Sequence, residues 1–216
     1  FACFNPDTLA IEATWTGGFL TFASSRYGFL APATPAGRLT EPLPSVAAPA
    51  QPFTYHGFYR HGNRVIFSYR LGGTEMLDAP WVEDGRLVRV IAPAADHPLA
   101  GLVKGGPRQW PQVLSASGMT GTGGPYVVDT IPVPFDNPWE ALMFFGGVGF
   151  FADGDAAVCT MQGDVWRVGG VDTGLKNVSW RRIASGLNAA LGLVVADDVV
   201  HVLGGDQITR LVDSNG

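Results

Sequence analysis

Two stretches in the second half of the chain match each other without a gap, Val148–Val168 lying over Leu191–Leu211, a spacing of 43 residues (148 to 191). Identities are few: Gly149/Gly192, Asp155/Asp198 and Arg167/Arg210. The apolar positions nevertheless recur, as Phe150/Leu193, Ala156/Val199, Cys159/Val202, Val165/Ile208 and Val168/Leu211. A period of about 40–45 residues filled with short strands is the length of one β-propeller blade. Two blades do not close a ring, so the expectation is an incomplete propeller whose other blades lie outside these 216 residues.

Composition agrees with strands rather than helices. Gly (29) and Pro (16) break helices and mark turns, and no amphipathic helix of three turns is evident. The nearest candidate, Pro138–Phe145, runs into Gly146-Gly147. The expected fold class is therefore all-β. An antiparallel β-sandwich-like domain is expected over 1–100, a Gly/Pro-rich linker over 101–125, and about two propeller blades over 126–216.

Within the first hundred residues, Gly17-Gly18 reads as a hairpin turn or bulge. Residues 31–52 carry Pro32, Pro35, Pro42, Pro44, Pro49 and Pro52 and read as an extended surface loop. Phe53–Tyr59 and Arg64–Leu71 flank His61-Gly62-Asn63 as a hairpin, and alternation in the second strand predicts one buried face. Glu75–Leu77 and Arg86–Ile91 add strands around Glu83-Asp84-Gly85.

Charge and motifs exclude several function classes. Net charge is −5, with no basic run, and a nucleic-acid binder concentrates cations on one face. The longest apolar stretch, Leu142–Phe151, is half the roughly 20 residues a membrane-spanning helix needs, and reads as a buried strand and bend. Gly118–Gly124 suggests a phosphate loop but lacks the Gly-Lys-Ser/Thr ending, and Pro125–Val128 after it reads as strand. No Gly-x-Ser-x-Gly elbow and no Cys-x-x-Cys-His haem attachment site occurs. Asp153/Asp155 and Asp197/Asp198 read as turn formers, and Asp213–Gly216 as the opening of a calcium-type loop without its later ligands.

No catalytic or metal-binding set emerges, and four residues stand as binding candidates. His56 and His61, five apart about a hairpin, form a conceivable metal pair with no carboxylate or Cys at ligand spacing. His201 shares a strand face with Val199 and Leu203 and reads as a satisfied interior histidine. Trp110, with Trp15 and Trp81, is a conceivable stacking platform for carbohydrate. Of the two cysteines, Cys159 reads as a buried thiol and its pairing with Cys3 is left open.

The second half also resembles a known family. Tyr126-Val-Val-Asp-Thr130, Asn137-Pro-Trp-Glu140, Phe150-Phe-Ala-Asp-Gly154, Ala157-Val-Cys-Thr160, Gly163-Asp-Val-Trp166, Trp180–Leu187, Leu191–Leu193 and Asp206–Leu211 carry the resemblance. They look like the entry into the propeller of PVC-type haem-binding (Cys-x-x-Cys-His) large exported bacterial proteins, similar to that of quinoprotein glucose/sorbosone dehydrogenases. The first half, through Trp15–Phe19, His61–Asn63, Phe67–Tyr69 and Gly72–Glu75, looks like the uncharacterised domain preceding that propeller. The chain departs from the pattern at Ala189-Ala190, where Pro usually precedes Leu-Gly-Leu, and at Gly205, where Arg usually precedes Asp-Gln-Ile-Thr.

The resemblance implies a periplasmic or extracellular protein that binds no cofactor in this segment, with c-type haem elsewhere in the full-length protein. The expected function is a non-catalytic binding or scaffold module, docking on an electron-transfer or other exported complex. Its partners would be other protein subunits or the remainder of the chain, with no nucleic acid and no membrane span. The alternative is the accessory and early-propeller part of a quinoprotein-like sugar or alcohol dehydrogenase that passes electrons to that haem.

Overall fold

The computed structural model describes residues 1–24, 31–40, 49–172 and 174–212. The chain is all-β, 51% strand against 2% helix, arranged in several antiparallel sheets. Two compact units divide it, Phe1–Gly105 and Gly106–Gly216.

The first unit holds two sheets. β1 (Ala2–Asn5), β2 (Ala10–Thr21) and β3 (Thr34–Leu39) form one, in that order. β4 (Phe53–His61), β5 (Arg64–Leu71), β6 (Thr74–Glu83) and β7 (Arg86–Pro93) form the other as a plain meander. Its turns are two residues long, and Asp84-Gly85 has both φ angles positive (48° and 74°), the backbone that matches strand twist in a tight hairpin.

This meander is covered on both faces, so the single buried face expected for β5 is corrected. On one side Ile66, Leu77 and Ala79 pack with Trp81 against Leu99, Leu102 and Val103, the last two within a single-turn 3-10 helix (Ala100–Val103). On the other side Phe67 stacks on Phe4 of β1, ring centroids 3.7 Å apart and 9° from parallel. Tyr69 is buried on that same face.

One further expectation narrows here to one of its alternatives, and another changes. Gly17 and Gly18 lie within β2, and the register against β3 shifts between Gly17 and Leu20, so they make a bulge rather than a hairpin turn. Part of the proline-rich "loop" is strand β3. It tolerates Pro35 because, among the described strands, it is the edge of its sheet. Residues 41–48 of that stretch lie outside the described residues.

The second unit holds a five-stranded sheet and a three-stranded one. β8 (Val113–Ala116), β9 (Phe145–Phe150), β10 (Ala156–Thr160), β11 (Val165–Gly169) and β12 (Val178–Ala184) pair in the order β8-β12-β11-β10-β9. β13 (Gly192–Ala196), β14 (Val199–Leu203) and β15 (Ile208–Leu211) form a second meander. The 101–125 segment is thus not simply a linker, because β8 within it supplies the outer strand beside β12. Pro125–Val128 carries no strand, and Tyr126 is exposed. Gly118–Gly124 leads into no helix.

The two sheets of this unit meet across an apolar seam of Ala157, Cys159, Val165, Ala190, Val200 and Val202. Backbone runs close to backbone there: a Cβ on Gly146 would lie 2.1 Å from the Ala190 carbonyl oxygen, and one on Gly147 2.6 Å from the Leu193 nitrogen. Glycine is needed in β9 for that approach. At one end of the seam the Ala152 N–H donates to Asp198 Oδ1 at 2.7 Å, tying the two hairpin loops together.

The sequence repeat holds for the middle strand and slips in its neighbours. β10 and β14 start and end 43 residues apart (156 to 199, 160 to 203). Gly149, however, lies opposite Ala157, while Val195 and not Gly192 lies opposite Val200. Val165 lies opposite Cys159, while Thr209 and not Ile208 lies opposite Val202. A one-residue slip turns a side chain to the other face. Val165 is accordingly buried in the seam and Ile208 is 71% exposed.

Candidate functional site

The four candidate residues do not converge. His56 is the bulged residue of β4, between Tyr55 and Gly57 in the register, and its Nδ1 lies 3.3 Å from Glu75 Oε2, a carboxylate that also pairs with Arg70 at 2.6 Å. His61 ends the same strand opposite Arg64. Five residues of extended chain separate their backbones by about 16 Å, too far for one ion, so the metal-pair idea is set aside. Among the described residues no group of three His, Cys, Asp or Glu could hold a metal.

His201 lies in β14 opposite Val194 and Arg210, on the face turned away from the seam. It is half-buried rather than interior, and its Nδ1–H donates to the Val199 carbonyl at 3.2 Å. The buried histidine is instead His97. Its Nδ1 accepts from the Leu99 N–H at 3.0 Å, which leaves Nε2 to donate to the Val90 carbonyl at 3.2 Å and the ring neutral.

None of the three tryptophans offered as platforms is open. Trp15 is buried, its indole N–H donating to the Phe19 and Gly18 carbonyls. Trp81 is half-buried beneath the Arg64 guanidinium, 5.0 Å away. Trp110 is half-buried against the Arg182 guanidinium at 5.1 Å, and Trp139 flanks the same cation at 5.6 Å. Arg182 completes its bonding with Asp164 Oδ1 at 2.5 Å and Ser185 Oγ at 2.7 Å. A cation between two indoles and paired to a buried carboxylate is a structural clamp, holding the segments around 110 and 139 on β12.

Sequence reasoning missed the polar groups that organise each unit. In the first, Asp78 is fully buried and Arg89 binds it through two nitrogens, Nε at 2.8 Å and Nη2 at 2.5 Å. Arg89 Nη2 also donates to the Leu9 carbonyl at 2.6 Å, from a residue held at φ 56°. The same environment acts on Tyr69, whose phenol is pushed up to about 12, first by burial and then by the Asp78 charge, Arg89 opposing. Burial alone pushes the Tyr55 phenol up to about 12. In the second unit the buried Asn137 holds its own loop, Nδ2 donating to the Ala141 carbonyl at 2.9 Å while Oδ1 accepts from the Ala141 N–H at 2.9 Å. A charged residue on an otherwise apolar strand face was the available signal for Asp78, and the Asn-Pro turn pair for Asn137.

An apolar concavity of the second unit lies on the face of β9–β12 opposite the seam. It is a recess of about 430 Å³ walled by Ile131, Val133, Val148, Val158, Val171 and Trp180 among others. Beneath it sits a core with Trp166, Val168 and Val178. Of the stretch 142–151, expected as a buried strand and bend, Phe145–Phe150 forms β9, yet Phe145, Val148 and Phe150 at the rim of the recess are exposed. The indole N–H groups of Trp166 and Trp180 are buried and meet no acceptor among the described residues. Cys159, by contrast, is buried in the seam 3.6 Å from the Ala190 carbonyl, its thiol pushed up chiefly by burial; Cys3 is exposed, and both are free.

These features define an all-β chain of two units with no assembled catalytic set among the described residues. Residues 2–78 match a family described as a domain of unknown function, DUF6797. No curated protein and no solved structure matches the chain. No helix among the described residues is long and apolar enough to cross a membrane.

Proposed function

We propose that the chain is a non-catalytic binding and scaffold module of an exported bacterial protein, its second unit supplying early propeller blades that dock on an electron-transfer or other exported complex. The observation that carries this reading is the outer face of β13–β15. Strand alternation puts Val194, Leu203 and Ile208 there, 56%, 53% and 71% exposed, on a sheet whose inner face is already sealed by the seam. His201 and Arg210 share that outer face, so it is an exposed apolar patch interrupted by two polar side chains, the composition of a docking surface. The partner is a further β-layer or protein surface with an apolar centre.

The test is affinity capture from a periplasmic extract with the wild-type chain and with the Leu203→Lys/Ile208→Lys double variant. A haem-containing or other redox protein held by the wild type and lost from the variant supports the reading. Equal retention by both, or retention by neither, overturns it.

A further inference from the structure

We propose that the recess on β9–β12 is a binding site for a small apolar molecule carrying one carbonyl-type oxygen, which accepts from the Trp180 indole N–H. Three observations carry this. The volume, about 430 Å³, falls within the roughly 300–1,000 Å³ of ordinary ligand pockets. The named walls are aliphatic or aromatic, which selects an apolar body. Trp180, 3% exposed, lines the recess, its buried indole N–H has no acceptor among the described residues, and a buried donor without a partner is costly. A ligand oxygen that satisfies it gains what a hydrocarbon of the same shape does not.

The indole nitrogen is closed to water, so a side chain over it must yield. Phe145 stacks on Trp180 with ring centroids 5.9 Å apart and is itself 44% exposed, so it has room to turn aside. The site is on the opposite face of the five-stranded sheet from the seam, away from the β13–β15 face on which the docking reading rests.

The experiment uses the full chain with 15N-labelled tryptophan and two probes, 2-octanone and n-octane. The ketone is expected to move the Trp180 indole resonance, assigned by its loss in Trp180→Phe, and to bind about tenfold more tightly than the alkane. Val148→Trp, at an exposed rim position, is expected to abolish binding of both probes without unfolding the protein. The proposal is overturned if neither probe binds, if ketone and alkane bind equally, or if Val148→Trp binds like the wild type. Any of these would leave the recess as a seat for a partner's apolar side chains.

Discussion

Gly146 and Ala190 pass each other so closely that a single added carbon on Gly146 would lie 2.1 Å from the Ala190 carbonyl oxygen. The two sheets of the second unit are joined at that point by backbone contact rather than by interlocking side chains. Gly146→Val is therefore expected to force the sheets apart and destabilise the unit by about 3 kcal/mol, the upper end of overpacking costs. Urea unfolding followed by tryptophan fluorescence measures it. A change below about 0.5 kcal/mol would mean that the seam is not closed as described.

The buried pair in the first unit makes a second, independent prediction. Asp78→Asn leaves the Arg89 guanidinium buried without its counter-charge, and the expected loss is about 3–5 kcal/mol. Replacing both residues by apolar ones of similar size, Asp78→Leu with Arg89→Met, should recover much of that loss, because no charge is then stranded. Thermal unfolding of the two variants side by side decides it. A double variant no more stable than Asp78→Asn would show that Arg89 matters for holding the Leu9 carbonyl rather than for pairing.

Alkaline titration follows from Tyr55 and Tyr69. Their ordinary value of 10.0 is raised to about 12 in the folded chain, so between those values the native state keeps protons that the unfolded state gives up. Stability supplied by these phenols is complete below pH 10 and falls as pH rises towards 12. Phenolate absorbance near 295 nm should show a late fraction that appears together with loss of β-sheet circular dichroism. Full ionisation of every tyrosine by pH 10.5 with the fold intact would refute this.

The thiols should separate cleanly. Cys3 is exposed and reacts with a disulfide reagent in the native protein, while Cys159, buried with its thiol pushed up, reacts after denaturant is added. Two equivalents of fast reaction in native buffer would mean that the seam opens readily.

Much of the second unit was legible because β10 and β14 repeat their apolar positions at a constant spacing. The slip on the β9/β13 side was not, because five residues (151–155) join β9 to β10 while Asp197 and Asp198 alone join β13 to β14. An ungapped alignment has no way to register that difference. β3 was hidden by Pro35 and the prolines of the stretch around it, and β8 by its distance along the chain from the strand it pairs with. Exposure at Ile208 was equally invisible, since apolar character alone does not say which face of a sheet is covered. The clamp on Arg182 escaped notice because its indoles lie 29 residues apart (110 and 139) and meet only in the fold.

β15 lies at the rim of its sheet, with no neighbour on its far side among the described strands. A row of unsatisfied amides beside exposed Ile208 is a template for any extended chain that approaches it. Kept at high concentration on its own, the second unit should therefore polymerise edge to edge, and a short peptide designed to lie along β15 should keep it monomeric.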